Sequence, residues 1–187
     1  MLKPSDALLE PDIRFRDLVF RSAETGDVRP LCMDDLRNMV AGIELGPQIP
    51  VAIREQFDTA RNAFVYSWFA YELATLAEQH CFATLEMALR QRHQPAAPPN
   101  TTRSPGLDKL LKLAVKEGWL RRDDFIIPSI SGSCQPACSL DLIPMFRNHL
   151  MHGNVHLLPQ ATPEILRLCA EVMNRLFAGP SELAKIA

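Results

Sequence analysis

From Val51 to Gln91 the chain contains neither glycine nor proline, so nothing along that stretch offers the backbone a ready point at which to break a helix. Apolar residues recur there at spacings of three and four: Phe57, Phe64, Val65, Trp68, Phe69, Leu73, Leu76, Ala77, Phe82, Leu85 and Leu89. This is the period of a helix with one buried face, not the alternation of a strand. The pattern predicts one long helix, or two with a kink, and it demands other elements to cover the apolar face. A chain of 187 residues can supply them within one core.

The rest of the sequence punctuates further helices. The segment 93–105 is proline-rich, which removes backbone donors and biases the preceding residues away from helix, so a loop must end the long helical stretch. Ser104 and Pro105 open a helix over 106–118, with Leu107, Leu110, Leu111, Leu113 and Ala114 on its apolar stripe and Gly118 as its stop. Trp119 and Leu120 are expected to pack back on it. Residues 123–140 mix Pro, Ser, Gly and Cys without helical period and read as a second long loop. Helical spacing resumes over 141–151 with Leu142, Ile143, Phe146 and Leu150, and Gly153 follows as a stop. A last helix starts at Thr162-Pro163-Glu164, Thr as cap and Pro at the first helical position, and runs to Gly179-Pro180. The first fifty residues hold short helical pieces, such as 33–44, separated by the turn-rich pieces 26–30 and 46–50. No run of segments shows strand alternation. The expectation is an all-α helical bundle over 51–187, carrying the Pro-rich loop at 93–105, with an irregular helical N-terminal extension over 1–50.

A hydrophobic content of 47%, a charged content of 22% and a net charge of −2 exclude a disordered or fibrous chain and a generally basic nucleic-acid-binding protein. The charge is uneven, however: residues 90–122 carry a net +6, residues 1–89 a net −6 and residues 123–187 a net −2. A basic stripe of that kind can hold a phosphate backbone, or it can be a solvated helix face. The cysteines, at 32, 81, 134, 138 and 169, are odd in number, and two fall in strongly helical patterns, as buried free thiols do. A reducing cytoplasm is the expected location. Cys134 and Cys138 lack a second Cys or His pair nearby, so no metal is expected there. The N-terminus breaks with Pro and acids before any apolar run develops and does not read as a signal peptide. No apolar stretch reaches membrane-spanning length.

The chemistry concentrates at Arg147-Asn148-His149-Leu150-Met151-His152. Asn148 and His152 are four apart, about 40° from one another on a helix. Arg147 is offset from His152 by about 140°, but its long stem lets the guanidinium swing toward the same place. The trio suits a phosphodiester. Arg presents a planar fork of donors and keeps its charge, imidazole titrates near neutrality and can take or give a proton, and the amide of Asn148 can position either partner. No carboxylate cluster of the magnesium-binding kind surrounds the segment. The competing reading gives Arg147 to a nearby acid, His152 to the helix C-terminus and Asn148 to solvent. His149 and His156 read as surface residues, and Tyr71, Glu72 and Glu78 as helix-surface or packing residues.

Arg147-Asn148-x-x-x-His152 followed by glycine resembles, in spacing and helical setting, the RNxxxH signature of HEPN domains, named for higher eukaryotes and prokaryotes nucleotide-binding. The resemblance covers about residues 51–178, with Leu85-Glu86-Met87-Ala88-Leu89-Arg90 in the place of the acidic-apolar segment that precedes the motif helix. It leaves the first fifty residues unaccounted for. It implies an antiparallel bundle of four or five helices that forms a homodimer with two motif helices facing each other, and metal-independent endoribonuclease activity without a cofactor. By it, Arg147 would stabilise the phosphorane-like transition state and His152 would transfer protons in an attack by the ribose 2′-hydroxyl. Glu86 is a supporting candidate to hold Arg147, with an i,i+4 pair to Arg90 as the alternative. The implied setting is a toxin–antitoxin or defence system with RNA as substrate and an antitoxin or nucleotidyltransferase as partner. The alternative is a HEPN module that binds a nucleotide or a protein without turnover.

Overall fold

The computed structural model describes residues 2–22, 24–93, 105–127, 137–151 and 161–178. Six α-helices account for most of them: α1 (Met33–Ala41), α2 (Val51–Tyr66), α3 (Glu72–His93), α4 (Leu107–Lys116), α5 (Ser139–Met151) and α6 (Ala161–Phe177). Two small antiparallel hairpins accompany them. β1 (Val19–Arg21) pairs with β2 (Val28–Pro30), and β3 (Ile126–Ile127) pairs with β4 (Ala137–Cys138). These strands leave no mark in the sequence, because two or three residues are too short to show a period of two. Gly26 closes the first hairpin at φ +75°, a left-handed conformation that favours glycine.

α3 lies at the centre and packs against α2, α6, α4 and α5. Its Ala77, Cys81, Leu85 and Ala88 are fully buried, and so are Ile53, Ala60 and Phe64 of α2 and Leu166, Cys169, Val172 and Met173 of α6. Small residues on α3 let its neighbours approach closely, while the bulk comes from the facing helices. The N-terminal region joins the same core: Phe15, Leu36, Val40 and Ile49 are buried in the cluster that holds Phe57 and Leu166.

The uninterrupted stretch from Val51 folds as a hairpin of two helices joined over Ser67–Tyr71, not as a single or kinked rod. The last N–H groups of α2 tighten into short-range bonds, Trp68 to the Val65 carbonyl and Phe69 to the Tyr66 carbonyl. The N-terminal region holds the turn from outside. Asp12 donates its N–H to the Trp68 carbonyl at 2.7 Å and accepts the Tyr71 N–H on its carboxylate at 3.1 Å. Lys3 reaches the Phe69 carbonyl at 3.0 Å, and the Phe15 ring packs between Trp68 and Tyr71.

α4 ends as its sequence predicts. Gly118 adopts φ +72°, and the Trp119 N–H returns to the Ala114 carbonyl at 2.8 Å. Leu120 is buried behind it. α5 is anchored at its start: the Ser139 hydroxyl donates to the Phe125 carbonyl at 3.1 Å and the β3–β4 pairing holds Cys138 opposite Ile126, while Arg122 pairs with Asp141 at the surface. α6 begins at Ala161, with Thr162 inside the helix; its hydroxyl donates to Glu78 on α3 at 2.6 Å and does not cap the helix it opens. Gly153, expected to stop α5, lies outside the described residues. No helix among the described residues is long and apolar enough to cross a membrane.

Candidate functional site

α5 carries the Arg147-Asn148 end of the segment singled out in the sequence. Ile143 and Leu150 point into the core, while Asp141, Met145, Asn148 and His149 are exposed and Arg147 is half-buried. Pro144 sits inside the helix. It has no N–H to give, so the carbonyl of Leu140 lacks its intrahelical donor, and its ring presents an apolar surface on the same side as Arg147.

Arg147 and Asn148 form one wall of a cleft of about 620 Å³ whose other wall is the first turn of α4. Pro105, Gly106, Leu107, Asp108 and Lys109 line that wall. Gly106 is the N-cap and offers no side chain to the first N–H groups of α4, which therefore keep the partial positive charge of a helix start. Asp108 is occupied by Lys112 at 2.8 Å. Lys109 and Arg147 make no ion pair among the described residues. Arg147 donates to the side-chain oxygen of its neighbour Asn148 at 3.3 Å, a weak contact that holds the two polar groups side by side. The cleft thus gathers an arginine, a lysine, an amide and a helix start in a setting suited to an anion, and in particular to phosphate oxygens.

A second compartment of about 360 Å³ between α4 and α5 adjoins the cleft, and Asp108 and Pro144 line both. Leu111, Val115 and Leu140 give it apolar walls, and Arg122 and Asp141 stand at its rim. Arg122 grips Asp141 with two guanidinium nitrogens, one of them at 2.9 Å. That hydrogen bonding holds the Asp141 carboxyl below the ordinary aspartate range and pushes the guanidinium up.

Of the residues expected at the site, the structure brings Arg147 and Asn148 to one cleft; His152 and His156 lie outside the described residues. Glu86 takes the alternative partner weighed for it: it pairs with Arg90 one turn along α3, and no contact with Arg147 is present among the described residues. The basic stripe is largely committed elsewhere. Arg90, Lys112 and Arg122 are in ion pairs, Arg92 stacks over the Trp119 ring at 5.7 Å, and Arg103 lies outside the described residues. Cys138 is buried with its thiol on the Arg122 carbonyl at 3.7 Å, and Cys134 lies outside the described residues. Among the described residues no three His, Cys, Asp or Glu side chains stand together as a metal site would require.

Sequence reasoning did not single out Lys109 and the start of α4. The available signal was a helix beginning directly after a proline-rich loop with a cation in its first turn, but nothing local tied it to Arg147. Of the two places open to Glu78, helix surface or packing, the structure gives packing: its side chain is buried against Thr162. No protein-family model matches this sequence, and no curated protein or solved structure matches it.

Proposed function

We propose that the cleft between α4 and α5 binds a phosphodiester of RNA, and that the chain is a metal-independent endoribonuclease of the HEPN kind. The observation that carries this reading is Arg147, held beside Asn148 at the mouth of a cleft and left uncommitted to any ion pair among the described residues. An arginine spent on a carboxylate would have little left for a phosphate; this one keeps its fork of donors. Arg147, with Lys109 and the start of α4 opposite, neutralises the charge that grows on the non-bridging oxygens as the 2′-hydroxyl attacks. Asn148 orients the phosphate. His152 follows Asn148 by one helical turn in sequence and supplies proton transfer.

One imidazole cannot be base and acid in the same step, which favours a homodimer in which two motif helices face each other and divide the two roles. The exposed line along α5 fits this: Asp141, Met145 and Asn148 recur at helical spacing, and Met145 is 54% exposed in the middle of it. A second copy of the helix would cover that methionine.

The test is cleavage of a single-stranded RNA in EDTA by protein whose mass in light scattering is twice the 21.0 kDa chain. Products should end in a 2′,3′-cyclic phosphate, and an all-DNA strand should survive, because the attacking hydroxyl is missing. His152→Ala should slow cleavage by about 10²-fold or more with the fold intact. Cleavage of DNA, or full activity in His152→Ala, defeats the mechanism. A folded dimer that binds RNA but cleaves none would be a binding module instead.

A further inference from the structure

The compartment beside the Arg147 cleft has an apolar lining from Leu111 and Val115 of α4 and Leu140 and Pro144 of α5, and the charged side chains of Asp108, Lys112, Arg122 and Asp141 line it as well. Apolar walls with a few placed polar groups are the general design of a small-molecule site, and about 360 Å³ lies within the ordinary range for one. It adjoins the Arg147 cleft, and Asp108 and Pro144 line both. Along α5, six residues separate Asp141 from Arg147, about 9 Å of helix rise. A ligand that fills both compartments therefore carries an anionic group at one end and, a nucleotide's length away, a flat and largely apolar group with a polar edge.

We infer that this second compartment is a nucleobase subsite, in which Arg122 and Asp141 read the edge of the base next to the phosphate held at Arg147. The inference rests on the phosphodiester reading of the Arg147 cleft. Its place beside that cleft selects the occupant, and the Arg122–Asp141 pair selects the base. Arg122 offers a fork of donors and Asp141 an acceptor, so the favoured edge shows acceptors and donors together. Guanine does so on its Watson–Crick edge, where N1–H and N2–H match the two oxygens of a carboxylate and the adjacent O6 accepts from an arginine. Both side chains are more than half accessible or nearly so, at 50% and 59%. A pair so exposed is cheap to open, since its mutual attraction is already screened by water. Opening it exchanges one set of hydrogen bonds for another at the base edge.

Ribonucleoside 3′-monophosphates of the four bases, and inorganic phosphate, titrated separately into the full-length protein and followed by amide NMR shifts, test this. Guanosine monophosphate should bind about tenfold more tightly than the weakest of the four. The preference should collapse to near equality in Arg122→Met/Asp141→Asn, a pair of surface changes expected to leave the circular dichroism of the fold unaltered. Equal binding of all four by the natural protein, or a preference that persists in the double variant, overturns the base subsite. The phosphodiester reading is scored separately, by whether inorganic phosphate binding disappears in Arg147→Ala. Phosphate binding that needs Arg147 without any base preference sinks the subsite alone. Phosphate binding indifferent to Arg147→Ala sinks the phosphodiester reading, and with it a base subsite beside Arg147.

Discussion

Asp12 with Arg14, at the N-terminal end of the molecule, and Arg147 in the α4–α5 cleft spend their charges in opposite ways. Asp12 accepts the Arg14 N–H at 3.0 Å, both Nε and Nη2 of Arg14 at 2.8 Å, and the Tyr71 N–H at 3.1 Å. Arg14 in turn reaches Glu72 at 2.6 Å and stacks over the Tyr71 ring at 4.4 Å. Every strong group there faces another, and together they clamp the turn between α2 and α3. Asp35 is treated alike, taking two bonds from Arg29 and one from the Cys32 N–H. Arg147, by contrast, has only the neighbouring amide at 3.3 Å. The Asp12 and Asp35 clusters close on themselves; the guanidinium of Arg147 keeps its fork of donors toward the cleft.

The largest effect that separates the two regions is on activity. Arg147→Ala should lower RNA cleavage by about 10²-fold or more, because it removes the charge set against the transition state. Arg147→Lys should recover only part of that, since an ammonium cannot reproduce the planar fork. Thermal unfolding should move little in either variant, within about 0.5 kcal/mol, as for a half-exposed side chain outside the core. Rates from the variants, measured beside their melting curves, decide it. If Arg147→Ala melts far earlier than the natural protein, Arg147 is a structural residue and the contrast with Asp12 disappears.

Asp12→Ala should reverse the pattern. It takes the cap from the short helix Ile13–Phe15 and leaves the buried Tyr71 N–H without its acceptor, at a cost of about 2 kcal/mol. For a chain of this size that lowers the melting temperature by roughly 4–8 °C, while cleavage by the remaining folded protein should be unchanged. The pH dependence adds a sign. The Arg14 side chain, more than any other group, holds the Asp12 carboxyl well below its ordinary value, assisted by the Arg14 and Tyr71 N–H groups and opposed by burial. A carboxyl depressed on folding contributes stability in full above its unfolded value, near 3.9. That contribution is lost as pH falls from there toward the folded value. The gap in stability between the natural protein and Asp12→Ala should therefore be constant from pH 5 to 7 and should close below about pH 4. A gap that widens in acid has the wrong sign for this account.

The same contrast explains what could be read from the sequence. The helices were legible because each carries its own period and its own punctuation: Gly118 stops α4 whatever surrounds it. The turn after Tyr66 was not legible, since no glycine or proline marks it and its hydrogen bonds come from Asp12 and Lys3, more than fifty residues away. The strands were too short to register, and the burial of Glu78 depends on Thr162 across the core. At the site, Arg147 and Asn148 were visible because the signature is local. The facing wall was not, because Lys109 meets them only once α4 and α5 have packed.

The smallest effect concerns Glu86, which the sequence left between two partners. In the structure it accepts from Arg90, its side chain is 14% exposed, and Arg90 is 42% exposed. A pair of that kind along one helix contributes about 0.2–0.5 kcal/mol. Glu86→Ala should therefore shift the unfolding midpoint by no more than that, offset in part by the better helix propensity of alanine. If Glu86 serves only Arg90, cleavage should be unaffected, and the double change Glu86→Ala/Arg90→Ala should match Arg90→Ala alone in both stability and rate. If Glu86 instead swings to Arg147 when RNA binds, Glu86→Ala should lower the rate as Arg147→Lys does, and combining it with Arg147→Ala should cost nothing further. The structure favours the first outcome, because a carboxylate already holding one guanidinium would have to release it before taking another. Rates for these variants and the natural protein at one temperature and one salt concentration separate the two, and a loss confined to the chain that still has Arg147 would move Glu86 from the scaffold into the site.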